Sequence, residues 1–241
     1  MQHGYVGDIG DYGKYGLIRH LVGRNRQRLG VVWYLVANED RGDGRFVGYL
    51  NSQYQRLERC DPELFGKLRA MLTRGTRSLH AIQHTGILPK GTVFVSSEVP
   101  RATNGKDCPR SRWLSDAARI TVNCDLVFLD PDNGLECKSV ALTHRQARKY
   151  VYYNEVPRFI RNGSSLLIYH HTNRQCSATL QVRDRARHLR ELFPRLHIRA
   201  VLYRRGSVRA YFLLGQKQHV SLLNQWDSFR ETDWSEHFES V

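Results

Sequence analysis

The sequence predicts an α/β fold in which a mostly parallel sheet is covered by helices and closed by a C-terminal antiparallel hairpin. Two observations carry this prediction. Short apolar runs that are typical of buried strands alternate with segments of helical periodicity along most of the 241 residues, and such alternation favours parallel strands with helices on both faces. Two further strand-like runs near the C-terminus are joined by Arg204-Arg205-Gly206-Ser207, which is typical of a hairpin turn.

Each element rests on a local pattern, and together they predict a single α/β domain over 1–241. The segment 1–29 is a glycine-rich N-terminal element followed by a helix, and 215–241 is a helical tail. Asp61-Pro62-Glu63 begins a further helix, because Asp is a favourable N-cap and Pro a favourable first helical residue. The remaining strands are expected at 31–36, 92–95, 126–129, 165–169, 198–203 and 208–214, and the remaining helices at 111–120, 155–161 and 176–193.

The composition indicates a basic protein with a polyanionic partner. The net charge of +14, from 37 Lys and Arg against 23 Asp and Glu, favours nucleic acid, since cations on a phosphate backbone release counterions. An arginine-rich composition with no role in nucleic-acid binding is the alternative. No apolar run has the length of a membrane span, and the N-terminus lacks a hydrophobic signal core. We therefore expect a cytoplasmic protein with no membrane partner. The five cysteines include no Cys-x-x-Cys pair, which argues against a zinc ribbon, and no pattern predicts the oligomeric state.

The strongest candidate site is Asp130-Pro131-Asp132-Asn133-Gly134, which directly follows an apolar strand. Ligands of parallel sheets bind at the carboxyl ends of strands, where the two acids Asp130 and Asp132 could orient a substrate amine, hold a metal or act as a base. An ordinary turn of the same composition is the alternative. His170 follows another strand and could serve as a base, phosphate donor or metal ligand, with a satisfied structural histidine as its alternative.

Three further segments are candidates for cofactor binding. The stretch Gly7–Gly16 has four glycines that would let a ligand approach the backbone, and Lys14 could reach a phosphate or carboxylate. The order of residues there is not that of a Walker A loop, and a flexible leader is the alternative. Gly42-Asp43-Gly44 could cradle a cofactor, and Glu98 follows a strand where an acid could bind ribose hydroxyls. A solvated loop and a solvated Glu are the alternatives.

The order of these segments resembles the Rossmann-like methyltransferases that depend on S-adenosylmethionine (SAM), especially the bacterial enzymes that methylate N6 of an adenine in 23S ribosomal RNA. Gly10-Asp11-Tyr12-Gly13-Lys14-Tyr15 stands where that family has Ala-Asp-x-x-Lys-His, and Gly42-Asp43-Gly44-Arg45-Phe46 has its Gly-x-Gly-Arg-aromatic form. Asp130-Pro131-Asp132-Asn133 stands in place of Asp-Pro-Pro-Tyr and lacks the aromatic that stacks on the flipped base. The sequence also resembles a family of uncharacterised bacterial proteins with Asp-Pro-Asp-Asn-Gly and Tyr-His-His segments, which implies no function.

The resemblance implies a Rossmann-like methyltransferase fold that binds SAM at the strand ends and methylates an amino group in RNA or DNA. The implied cofactor-binding residues are Asp11, Lys14, Gly42, Gly44 and Glu98. The predicted catalytic residues are Asp130, Asp132, Asn133 and His170, and the resemblance implies that Asp130 receives the target amine. Four arginines of one expected helix would follow phosphates, or form a solvated face: Arg183, Arg185, Arg187 and Arg190.

Two alternatives remain open. A metal-dependent nuclease or phosphohydrolase would bind Mg²⁺ or Mn²⁺ through Asp130, Asp132, Glu136 and His170. Pro131-Asp132 followed by Glu136-Cys137-Lys138 has the residue types of such sites, although the gap between them is shorter than usual. A non-catalytic module that keeps the fold and the basic surface would bind nucleic acid without turnover.

Overall fold

The computed structural model describes residues 6–23, 27–37, 46–50, 55–104 and 107–241. In these ranges the chain forms eight α-helices and nine strands. The helices are α1 (Ile9–Gly23), α2 (Gln55–Cys60), α3 (Pro62–Thr73), α4 (Leu79–His84), α5 (Pro109–Ile120), α6 (Pro157–Ile160), α7 (Ala178–Leu192) and α8 (Val220–Ser228). The strands are β1 (Leu29–Val32), β2 (Val93–Val95), β3 (Leu126–Leu129), β4 (Gly134–Leu135), β5 (Tyr150–Val151), β6 (Ser165–His171), β7 (His197–Tyr203), β8 (Arg209–Gly215) and β9 (Phe238–Ser240).

Seven strands form one sheet in the order β2-β1-β3-β6-β8-β7-β9. β1 pairs in parallel with β2 and β3, and β3 pairs in parallel with β6. β8 is antiparallel to both β6 and β7, and β9 is antiparallel to β7. Five of these seven strands therefore run in the same direction. The predicted α/β fold with a mostly parallel sheet is confirmed, and β7 and β8 form the C-terminal antiparallel pair.

Helices cover both faces of this sheet. One core contains residues of α1, α3, α4 and α8, and the other contains residues of α5, α6 and α7. All four residues of β3 are buried, which explains why its apolar run is continuous: a strand covered on both faces has no polar side. Across the described ranges, none of the helices combines the length and the apolar character needed to cross a membrane.

Local sequence signals explain where several elements begin and end. Asp61 accepts the N–H of Leu64 at 2.9 Å and Pro62 is the first residue of α3, as the sequence predicts. The strand expected at 31–36 differs from the observed β1, which begins at Leu29 and ends at Val32. Within the expected helical tail, α8 and two 3-10 turns are followed by β9, an edge strand that pairs with β7.

Residues 132–155, which we call the insertion, form a small unit between β3 and α6. β4 and β5 pair in parallel within it, and an apolar cluster that includes Val140 and Tyr152 forms its interior. Arg110 of α5 is buried and anchors this unit: its Nε lies 2.6 Å from a carboxylate oxygen of Glu155, and its other nitrogens donate to two backbone carbonyls of the insertion. The insertion is therefore fixed to the body of the protein by a buried ion pair.

Candidate functional site

The strand order of the sheet reverses between β1 and β3. The chain passes from β1 to β2 on one side and later to β3 on the other, and ligands of open α/β sheets bind outside the carboxyl ends of the strands at such a point. Asp130 directly follows β3, and its N–H donates to the carbonyl of Val32 at 2.9 Å. The strongest predicted candidate therefore lies at the place where the topology favours a site.

Five buried charged side chains, which we call the charge cluster, meet beside this point: Asp8, Asp11, Lys14, Asp130 and Arg209. Lys14 Nζ lies 2.7 Å from an oxygen of Asp11 and 2.9 Å from an oxygen of Asp130. Arg209 lies 2.9 Å from Asp8, which also accepts the N–H of Asp11 at 2.8 Å. The cluster thus joins the start of α1, the end of β3 and the start of β8.

The sequence around Asp8 explains why α1 begins here. Asp8 immediately precedes the helix and accepts an N–H of its first turn, while Asp11 reaches back to accept the N–H of Gly7 at 2.9 Å. This reciprocal arrangement satisfies N–H groups that the helix leaves unpaired. Lys14 follows Asp11 by three residues and therefore lies on the same helix face.

The glycines of α1 permit close packing by other side chains. Gly10, Gly13 and Gly16 lie inside the helix, so the alternative of a flexible leader is wrong for this part of the stretch. A Cβ added at Gly10 would lie 2.1 Å from Cζ of Arg209, and one added at Gly16 would lie 2.1 Å from the ring of Trp234. The absence of a side chain at Gly10 thus makes room for Arg209 of the charge cluster, and its absence at Gly16 makes room for Trp234.

Lys14 is held in a mixed aromatic and acidic environment and is 3% exposed. Three ring centroids lie 5.2 to 6.0 Å from its Nζ, those of Tyr15, Trp33 and Tyr169. Burial alone would lower the pKa of Lys14, but Asp11 and Asp130 raise it well above its ordinary value. Burial raises the pKa of Asp130, and the ammonium of Lys14 opposes that change. Lys14 is therefore protonated and fixes the position of Asp130.

Tyr34 adds backbone strain next to the reversal point. Its φ of 44° makes it the one non-glycine residue with positive φ in the described ranges, a conformation that bulky residues rarely adopt. Its ring packs edge-on against Trp113 with centroids 5.0 Å apart. Sequence reasoning missed this position, because an aromatic residue in an apolar run carries no signal of strain.

His170 supports the turn that follows β3. Its Nδ1 accepts the N–H of Leu135 at 3.2 Å, and Gly134, with φ of +109°, approaches it so closely that an added Cβ would lie 2.2 Å from that nitrogen. His171 donates its N–H to the carbonyl of Asn133 at 3.1 Å, so two predicted candidate segments contact each other. Burial lowers the pKa of His170 well below its ordinary value, which favours the neutral imidazole that this hydrogen bond requires.

The acids proposed for a metal site have separate partners. Asp132 lies 3.2 Å from Lys149 of the insertion, and Glu136 accepts the N–H of Tyr153 at 3.0 Å. The described ranges contain no group of three His, Cys, Asp or Glu side chains that could hold a metal ion. The geometry therefore gives no support to the Mg²⁺ cluster of Asp130, Asp132 and Glu136.

The predicted cofactor residues fall into three groups. Asp11 and Lys14 belong to the charge cluster, whereas Glu98 is exposed beside the extension of β1, where it forms an isolated bridge with Leu35. The predicted residues Gly42 and Gly44 lie outside the described ranges. Glu98 is therefore a carboxylate open to solvent near the strand ends, whereas Asp11 and Lys14 are engaged with each other.

The predicted arginine face of α7 is only partly available. Arg185 donates to the carbonyl of Glu136 at 3.0 Å and to the hydroxyl of Tyr153 at 3.2 Å, so it fixes the insertion to α7. Arg187 lies 3.2 Å from Asp184 on the same helix. Arg183 and Arg190 are exposed, and these two could contact phosphates without breaking a contact of the insertion.

Comparisons with known proteins identify no family for this chain: no family model and no curated protein matches it. A functional assignment therefore depends on the sheet topology and on the residues gathered at its carboxyl edge.

Proposed function

We propose that this chain is a Rossmann-like methyltransferase-fold protein that acts on nucleic acid, with SAM as the methyl donor and Asp130 as the residue that receives the amino group of a base. One observation carries the proposal: two motifs predicted separately converge, since Lys14 lies 2.9 Å from Asp130. The convergence falls where the strand order of the sheet reverses, and that is where α/β sheets bind ligands.

The chemistry assigns each group a distinct task. SAM, when bound, would supply a methyl group activated by its sulfonium sulfur, which would leave as the neutral thioether S-adenosylhomocysteine while the methylated amine releases a proton. Asp130 accepts a hydrogen bond from the target amine and so aligns its lone pair for attack. Asp11 and Lys14 hold Asp130 in place, because both are buried and engaged with each other. Glu98, which is exposed, binds the ribose hydroxyls.

Calorimetric titration with SAM tests the cofactor. We expect wild type to bind, Glu98→Ala to bind at least about tenfold more weakly, and Glu191→Ala, which removes an exposed acid of α7, to bind as wild type does. Transfer of radiolabelled methyl groups to RNA or DNA tests the activity, with Asp130→Asn expected to abolish it. If millimolar SAM produces neither heat nor a thermal shift, the cofactor assignment fails.

A non-catalytic nucleic-acid-binding module is the second candidate, and the burial of Asp130 favours it. The residue is 2% exposed, so its carboxylate is not presented to a base in this conformation. This candidate predicts salt-dependent binding that survives Asp132→Ala and Asp130→Asn, with no transfer of label. Label transfer that depends on Asp130 would reject it.

A further inference from the structure

We infer that the carboxyl edge of the sheet, from the insertion to the β7–β8 turn, is the surface that docks the phosphate backbone of a nucleic acid. This inference rests on the proposed function, because it places the substrate beside Asp130. The exposed cations of this edge, which we call the basic rim, are Lys138, Arg145, Arg174 and Arg205.

The strand register brings these segments to one edge. His171 at the end of β6 and Tyr203 at the end of β7 are both paired with Arg209 at the start of β8. The chain therefore leaves β6 and β7 on the side where Asp130 follows β3. The insertion is attached at the same edge, since the N–H of His171 donates to the carbonyl of Asn133 at 3.1 Å.

The insertion directs its acids inward and its cations outward. Each of its three carboxylates accepts from a described donor: Asp132, Glu136 and Glu155. Lys138 and Arg145 are exposed and have no ion pair with any described residue. The charge that the insertion presents to solvent is therefore positive.

The neighbouring segments continue this pattern. Arg174 is exposed in the loop 172–177, which contains no acidic residue. Arg205 is exposed in the β7–β8 turn and donates to Nδ1 of His237 at 2.9 Å. Burial, together with Arg205, lowers the pKa of His237, so a neutral imidazole accepts this bond and the positive charge of Arg205 is not cancelled.

Separate cations spread along one edge suit a repeating anion better than a small one. A single phosphate would need donors that converge on one point, whereas a phosphodiester backbone offers charges at regular intervals and gains affinity as counterions are released. The basic rim therefore assigns part of the +14 net charge to a defined surface beside Asp130.

Paired charge reversals in the full chain test this surface. The rim variant is Lys138→Glu/Arg145→Glu, and the matched control is Arg119→Glu/Arg161→Glu, at exposed positions on the segments that lead into the amino ends of β3 and β6. Both make the same change in formal charge. Fluorescence anisotropy with short labelled RNA and DNA is measured over a series of salt concentrations. The rim variant should bind with at least about tenfold lower affinity than wild type. A plot of the logarithm of the binding constant against the logarithm of the salt concentration should become shallower by about one to two for the rim variant. The control should keep the affinity and the slope of wild type.

Three outcomes would overturn the inference. They are an equal loss of affinity in the rim variant and the control variant, unchanged affinity in the rim variant, and a wild type that binds phosphatidylserine vesicles but neither RNA nor DNA. Titration with SAM separates the two proposals. If wild type does not bind SAM but binds nucleic acid through the basic rim, the cofactor assignment fails and the docking surface stands. Circular dichroism checks that each variant folds. If Lys138→Glu/Arg145→Glu does not fold, Lys138→Gln/Arg145→Gln is used in its place.

Discussion

At the scale of single residues, the candidate site depends most on Lys14. Its ammonium lies between the carboxylates of Asp11 and Asp130, all three side chains being nearly inaccessible to solvent. Charges removed from water are tolerated when they are paired, and removal of one partner leaves the others uncompensated in a medium of low dielectric constant. Lys14 is therefore a positioning residue whose loss should be felt by the whole cluster.

Lys14→Met should lower the free energy of unfolding by about 3–5 kcal/mol at neutral pH, because two buried carboxylates lose their counter-charge. The loss should shrink in acid, since without the ammonium of Lys14 burial raises the pKa of Asp130 further and the folded protein takes up a proton there more readily than the unfolded chain. Urea unfolding near pH 7 and near pH 5 measures both effects. Lys138→Met is the matched control, and an equal, small effect of the two changes would contradict the role given to Lys14.

The sequence identifies Asp130 and Lys14 as candidates because each lies in a local pattern, but it does not predict their contact. They are separated by 116 positions, and only the packing of α1 over the strand ends brings them together. Arg209 was missed, because a lone charge in an apolar strand matches no motif. The spacing of Asp8 and Asp11 is a capping signal that could have predicted the helix start.

At the scale of elements, the sequence predicts best those helices and strands that are long enough to show a periodic pattern or that begin with a strong local signal. The bounds of β3 and the start of α3 agree with the sequence prediction, since a continuous apolar run and an Asp-Pro cap are strong local signals. β4 and β5 have two residues each, which is too short for any period to be visible. β9 is defined by its pairing with β7, and a long-range partner cannot be read from a local pattern.

Arg110→Met should loosen the insertion and leave the central sheet folded. The change leaves Glu155 buried without its cation, so amide hydrogen exchange within 132–155 should accelerate at least about tenfold while the amides of β3 and β6 stay protected. Mass spectrometry of peptide fragments after exchange gives the comparison.

Arg110→Met/Glu155→Met serves as the control, because neither charge then remains buried, and it should recover most of the protection. If the amides of β3 in Arg110→Met exchange as fast as those of the insertion, the insertion is not an independent unit. Equal exchange in the single and double variants would show that the ion pair itself is not what anchors it.

At the scale of the whole molecule, the order of helices and strands predicts the layered architecture, because strand–helix–strand connections favour parallel pairing. The order does not predict that β8 lies between β6 and β7. The net charge is likewise readable from composition, but its distribution is not. Burial of five charges in the cluster, and of Glu155 within the insertion, depends on tertiary contacts that link distant parts of the chain.

The whole molecule should lose stability as the pH falls through 6.5 and below, because the fold holds several histidines neutral. Burial lowers the pKa of His170, His219 and His237 below the ordinary value of 6.5. In the unfolded chain these groups take up protons near that value. The unfolded state therefore binds more protons than the folded state in this window, and stability must fall as the pH falls.

His170→Asn isolates the largest part of this dependence, since the Asn amide oxygen can still accept the N–H of Leu135 but cannot titrate. The slope of the free energy of unfolding against pH, from about pH 6.5 to 5, should decrease by up to about 1.4 kcal/mol per pH unit. Urea unfolding at half-unit pH steps measures this slope, and His80→Asn, at an exposed position, is the matched control. A wild-type slope in His170→Asn would mean that His170 takes up its proton equally in the folded and unfolded states, and would contradict its role as a neutral acceptor of the N–H of Leu135.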